Sequence, residues 1–271
     1  MRLVLLLLLL LPACAAPPLP AAVPVELTQA MPEVTSRPAP SPGPTLLATP
    51  TELNPRRSAT DIPVPQTTPT PAFLLCTPLS LHPLSELPQV IGDPYNPPRP
   101  GREERHHGVD FAYYHYADRD SMQGEPIQSI LPGIVAAAIH DLYPYGNMVM
   151  VETSPALLPI ELLALLEFQP DESLYVLYAH MDSSPAVSIG EVVEACQPLG
   201  EVGMTGNTEL PHLHLETRLG PKGSVFESMR YYDTRATLEE LATYELWRTS
   251  GVYRHFDPMI LLSPSLESFL P

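Results

Sequence analysis

The segment Pro211-His212-Leu213-His214-Leu215-Glu216 limits what this chain can fold into more than any other. Successive side chains of an extended strand point to opposite faces. His212 and His214 would therefore share one face while Leu213 and Leu215 enter a core. On a helix, residues two apart do not face each other, so a strand is the better reading. About a hundred residues earlier, His106-His107-Gly108-Val109-Asp110 sets His106 and Asp110 four apart on one strand face. Gly108 lies between them on that face, and its missing side chain leaves room for an ion or a substrate. Imidazole and carboxylate are ligands that zinc takes, and a site with three protein ligands keeps a fourth position open for water, the mark of a catalytic site. The two segments supply three such ligands and a histidine to spare.

A third segment, Leu174-Tyr175-Val176-Leu177-Tyr178-Ala179-His180-Met181, reads as a β-rich strand ending in a histidine. In chain order, His-x-Gly-x-Asp at 106–110, Tyr178-Ala179-His180, and Gly203-Met204-Thr205-Gly206 followed by Pro211-His212-Leu213-His214 resemble the M23, or LytM/lysostaphin-type, zinc metallopeptidases. Ile130-Leu131-Pro132-Gly133-Ile134-Val135, Tyr145-Gly146-Asn147-Met148-Val149 and Phe256-Asp257-Pro258 resemble shorter features of that family, and the resemblance covers about residues 100 to 260. It implies a mainly β, compact antiparallel domain. It also implies one zinc ion, Zn2+, held by His106, Asp110 and His214, with His180 and His212 as catalytic histidines that do not bind the metal. One would accept a proton from water and the other support the oxyanion. The sequence does not say which does which; the expectation carried forward is His212 as the base and His180 as oxyanion support or proton donor.

The activity so implied is peptide hydrolysis, with the peptide part of peptidoglycan as substrate, either a stem cross-link or an interpeptide bridge. Two alternatives accompany it: a non-catalytic activator of cell-wall amidases, which some ligand-losing family members are, and a secreted metallopeptidase acting on proteins. No ligand is lost here, which counts against the first. A sugar- or metal-binding β-barrel with a His-x-His motif would leave His106–Asp110 and Tyr178–His180 unexplained.

Composition divides the chain. Of 36 prolines, about two-thirds precede residue 101. Arg2, the short apolar run Leu3 to Leu11 and the small residues Ala13-Cys14-Ala15-Ala16 read as a secretory signal over 1–16, the run being too short to span a bilayer. Leu11-Pro12-Ala13-Cys14 also resembles a lipobox, in which Cys14 would carry a lipid anchor to the membrane; Pro12 is unusual there, and cleavage near Ala15 or Ala16 is the alternative. Either way the expected location is extracytoplasmic. Residues 17–72, rich in Pro, Thr and Ala, form an expected disordered spacer. Residues 73–100 read as an ordered lead-in and 101–265 as the metallopeptidase domain. In an oxidising compartment Cys76 and Cys196 could pair or remain separate thiols. A formal net charge of −17 argues against nucleic acid as a partner and against electrostatic adhesion to anionic surfaces. The oligomeric state is not legible.

Within the domain, β-rich runs at 108–116, 129–139, 148–152, 173–178 and 212–218 alternate with turn residues. Residues 156–167 read as a helical or irregular insertion that packs on the core or walls the substrate cleft. Residues 234–250 read as a C-terminal helix capped by Asp233 or Thr234, with Leu238, Leu241, Leu246 and Trp247 as its apolar positions. Asn147 is a candidate substrate ligand or a turn filler, and Tyr113 a candidate cleft residue. Glu216 continues the His212–His214 face, either as a partner for a ligand histidine or as an exposed carboxylate at the strand end.

Overall fold

The computed structural model describes residues 73–263. The expected signal segment with Cys14 and the spacer to residue 72 lie outside the described residues. Among those described, the chain runs through β1 (Ile91–Asp93), β2 (Val109–Phe111), β3 (Pro126–Gln128), β4 (Gly133–Leu142), β5 (Gly146–Thr153), helix α1 (Ile160–Leu165), β6 (Glu172–Met181), β7 (Val192–Val193), β8 (Pro198–Glu201), β9 (Leu213–Pro221), helix α2 (Leu238–Arg248) and β10 (Arg254–Phe256). One antiparallel sheet has the order β1-β2-β9-β6-β5-β4-β7, and β10 pairs with β9 further along the edge that β2 occupies first. Strands β3 and β8 form a separate antiparallel pair. The fold is mainly β, as the alternating segments predict.

Both faces of the central strands are covered. One face sends Leu174, Val176 and Tyr178 of β6 and Leu213, Leu215 and Leu219 of β9 into a core shared with Leu75, Leu79, Leu84 and Leu87 of the lead-in. The other sends Tyr175, Leu177 and Ala179 against Tyr244 and Trp247 of α2. Strands covered on both faces read as near-continuous apolar runs, which is how Leu174 to Ala179 looks in the sequence. Each fully buried leucine contributes about 1.5–3 kcal/mol relative to exposure. The period-two signal survives on β9, where Leu213, Leu215 and Leu219 face the first core while His214, Glu216 and Arg218 face the α2 side.

Helix α2 starts later than the spacing predicts. Thr237 is the cap: its hydroxyl accepts from the Glu240 amide at 3.2 Å, and the Glu240 carboxylate accepts from the Thr237 amide at 2.8 Å, a reciprocal capping box. Asp233 instead accepts from the Arg235 amide and guanidinium. Leu238 and Leu246, expected in the apolar stripe, are exposed, and Tyr244 and Trp247 are the buried positions. The 156–167 insertion is a 3₁₀ turn followed by α1, and Leu158, Leu162 and Leu166 pack into the first core. Its role is packing, and it lines neither cavity beside the histidines.

Cys76 and Cys196 are joined by a disulfide that spans 120 residues, with the Cα atoms 5.4 Å apart. The bond ties the lead-in to the connection between β7 and β8. Closing so long a loop restricts the unfolded chain far more than the folded one. The double variant Cys76→Ser/Cys196→Ser should therefore lose roughly 3–5 kcal/mol. Urea unfolding measures this; a loss below about 1 kcal/mol would show that the strap contributes little.

Candidate metal centre and active site

Asp110 of β2 and His214 of β9 are direct cross-strand partners, so their side chains leave the sheet on the same face. Asp110 Oδ1 lies 2.7 Å from His214 Nδ1 and 3.0 Å from His106 Nε2, and the two nitrogens are 3.1 Å apart. His106 is not on β2 as the four-residue spacing suggests. It precedes the strand and is held by an isolated bridge to Asn96. Gly108 also differs from its expected role. A Cβ there would lie 2.4 Å from the Leu215 carbonyl oxygen and 3.0 Å from both Glu216 Cγ and His214 Cε1. The space is taken by β9 and the His214 ring, so the glycine permits close strand approach rather than leaving room for an ion or substrate.

The outward nitrogens of both histidines face acceptors only. His214 Nε2 lies 3.0 Å from Glu216 Oε1, and His106 Nδ1 lies 3.1 Å from the Pro94 carbonyl oxygen. Each outward nitrogen therefore carries a proton; the inward nitrogen donates to Asp110 when its ring is protonated and turns a lone pair toward it when the ring is neutral. Three electron-rich atoms then converge on one point, and a positive charge is needed among them. Burial would raise the Asp110 carboxyl, but hydrogen bonds from His106 and His214 outweigh it and hold the group well below the usual carboxylate range. Burial would likewise lower His214, but hydrogen bonds to Asp110 and Glu216 bring it up to about 9. A proton on His214 can bridge the cluster, and a divalent cation is the other charge the donor set suits. The candidate ligand atoms of His106, Asp110 and His214 lie within 4.8 Å of one another, and two imidazoles with one carboxylate match zinc chemistry.

His180 and His212 sit beside this cluster with ring centres 4.6 Å apart. His180 donates from Nδ1 to the Thr205 carbonyl at 2.7 Å, and His212 from Nδ1 to the Leu210 carbonyl at 2.9 Å. Both thereby direct Nε2 away from these carbonyls, and His212 Nε2 lies 3.6 Å from Asp110 Oδ1. Burial pushes His180 down to about 3, with the neighbouring His214 and His212 adding to the effect, so it is neutral at physiological pH. Its backbone has φ 62°, the left-handed region that costs a non-glycine residue about 1–3 kcal/mol. The cause is a bulge: between the pairs Val149–Tyr178 and Asn147–Met181, two residues of β6 oppose one of β5. Without it, His180 would follow Tyr178 into the first core; bulges re-aim side chains in this way.

The remaining candidates divide. Tyr113 lines a cavity of about 440 Å³ next to the cluster, and its hydroxyl donates to the buried Glu125 carboxylate. Asn147 does not reach the cleft. It is buried, its Oδ1 accepts from the Asp141 amide at 3.0 Å, and its Nδ2 donates to the Met181 carbonyl at 3.2 Å. It braces the β4–β5 turn and the bulged end of β6. Glu216 is fully buried and accepts six hydrogen bonds, from His214, Tyr145, Arg248, Trp247 and two nitrogens of Arg218. Tyr145 and Arg248 escape a reading of motifs. They lie far from the ligands in sequence, and only the fold brings them to the cavity of about 320 Å³ that contains His106, Asp110, His180, His212 and His214.

The model for Peptidase family M23 matches residues 162–225, a stretch that includes His180, His212 and His214. Among solved structures, the chain is similar to the catalytic domain of the prophage-encoded M23 protein EnpA from Enterococcus faecalis, with 24% identity and a TM-score of 0.35 over 51% of this chain and 87% of that one. It is similar to the catalytic domain of the antimicrobial peptidase lysostaphin from Staphylococcus simulans, with 25% identity and a TM-score of 0.34 over 51% and 86%. A zinc containing peptidase from Vibrio cholerae matches at 23% identity and a TM-score of 0.33, over 48% of this chain and 33% of that one. The matched stretch runs from α1 across β6 to β9 and, on a mainly antiparallel β fold, supports a likeness to peptidase family M23.

Proposed function

We propose that the protein is an extracytoplasmic zinc metalloendopeptidase that hydrolyses peptide cross-links or bridges of peptidoglycan. The observation that carries this reading is the convergence of His106 Nε2, Asp110 Oδ1 and His214 Nδ1, with two further histidines beside them. His106, Asp110 and His214 would hold zinc, which when bound polarises a scissile carbonyl and lowers the pKa of water toward about 7. His212 Nε2, nearer the ligand carboxylate, accepts the proton of the attacking water. His180 is fixed by Thr205 on the other side and supports the oxyanion or returns a proton to the leaving amine. The two cavities share Asp110, Asn207 and His212. A groove open on both sides of the ligands suits cleavage within a chain rather than at its end.

The peptidoglycan substrate is our reading of the motif resemblance, supported by the match to the model for Peptidase family M23 over residues 162–225. Mass spectrometry of muropeptides after incubating purified sacculi with the zinc-loaded protein tests it. New peptide-bond cleavage products that vanish with a chelator support the reading. Their absence, with hydrolysis of protein substrates instead, would move it to a secreted protease; no hydrolysis at all would leave the amidase-activator reading.

An oxidising compartment is supported by the Cys76–Cys196 disulfide. Among the described residues no helix is long and apolar enough to cross a membrane. We assign membrane attachment to a lipid on Cys14, on the pattern Leu11-Pro12-Ala13-Cys14. Cys14→Ser should move the protein from the membrane to the soluble fraction with its zinc content unchanged. Wild-type protein already soluble and unacylated would overturn the anchor.

A further inference from the structure

Helix α2 reads in the sequence as a packing element, yet its last residue reaches the metal cluster. Arg248 donates from one terminal nitrogen to Glu216 Oε1 at 2.7 Å, and its Nε faces both oxygens of Glu103 at 3.3 Å. Glu216 is two residues past His214 and accepts from its Nε2. Glu103 is three residues before His106, in the loop that delivers that ligand. Tyr244, one helical turn before Arg248, donates to the same Glu103 carboxylate at 2.7 Å. The guanidinium thus lies between the two segments that carry the ligand histidines, and it is mostly buried.

We propose that Arg248 is a positioning residue for the metal centre: its planar fork sets the spacing of the His106 loop and β9, and so the separation of His106 Nε2 and His214 Nδ1. This rests on the metal reading above. Residues that hold ligand partners in place typically govern metal affinity by about 10–100-fold. Arginine suits the task because its fork is rigid and always charged, whereas lysine offers a flexible point charge. The sign of the effect separates positioning from plain electrostatics. Arg248 is a cation beside a cation site, so deleting its charge alone would tighten zinc binding. Losing the spacing would weaken it.

The test strips metal from the full-length protein and measures zinc affinity by competition with a chromophoric chelator. Arg248→Met is expected to bind zinc about 10–100-fold more weakly than wild type. The visible spectrum of its cobalt-substituted form should also change, a signature that mere loss of stability would not produce. Glu103→Ala cuts only the arm to the His106 loop, at a side chain about a quarter exposed, and should weaken binding by a smaller factor. Affinity within twofold of wild type, or tighter, in folded Arg248→Met overturns the proposal. If that variant does not fold, unchanged affinity in Glu103→Ala overturns it instead. Wild-type protein that takes up no zinc would defeat the metal reading itself, a result distinct from variants that match a zinc-binding wild type.

Discussion

Alanine in place of His214 is expected to lose stoichiometric zinc and to lower peptide hydrolysis by about a thousandfold or more. Two ligands would remain, and the several kcal/mol that a metal ion lends to a developing oxyanion would be lost. The fold should survive, because Glu216 would keep five of its six donors and so would not be left an unpaired buried charge. Elemental analysis of the purified variant decides the point; retained zinc would mean that His214 is not a ligand. A pH dependence accompanies the prediction. The metal-free protein holds a proton on His214 up to about pH 9, raised from an ordinary 6.5. That linkage stabilises the metal-free fold fully below pH 6.5 and is lost as pH rises through about 9. Zinc must displace this proton, so its apparent affinity should rise with pH across the same window.

The second large effect is expected at the two histidines outside the ligand set. His212→Ala and a substitution at His180 should keep zinc while kcat falls by about 10²–10⁴ each. Asparagine is the cleaner replacement for His180, because φ there is 62° and asparagine tolerates the left-handed region better than most residues. Normal turnover in both variants would remove them from the mechanism. Zinc loss in His212→Ala would instead show that ligand and catalyst are exchanged within the His-x-His pair. Because burial holds His180 down near 3, its titration should not produce an acid limb in the rate profile near pH 6; such a limb must come from another group.

Much of this centre was legible because strand periodicity is local. Leu213 and Leu215 face the core and His214 faces the cleft, as two-residue alternation requires. Elsewhere the pattern was insufficient for identifiable reasons. Four-residue spacing put His106 on a strand, but the chain bends before β2 and a tertiary bridge holds it. Asn147 resembled a substrate ligand because an amide looks the same to a sequence reader whether it binds substrate or backbone. The start of α2 was misplaced because Asp233, Thr234 and Thr237 are all acceptable caps, and only the reciprocal bond with Glu240 selects Thr237. Arg248 was invisible because its two carboxylates lie 32 and 145 residues away; no local pattern spans such distances.

The bulge that turns His180 toward the cleft also bears on how the molecule can change over time. Strand β6 is at once a core plank and the bearer of a histidine that lines the cleft, and the two duties are separated by one unpaired residue. A single insertion or deletion between Leu174 and Tyr178 would exchange the faces of every side chain beyond it, driving Tyr178 out of the core. The segment 154–171 joins β5 to β6 without that register constraint, and outside Leu158, Leu162 and Leu166, which pack into the core, it can lengthen at little cost. Lineages descended from such a sheet should therefore differ freely in the length of this connection and hardly at all in the count from β6 to its terminal histidine. Grafting new recognition loops onto the scaffold would best begin there.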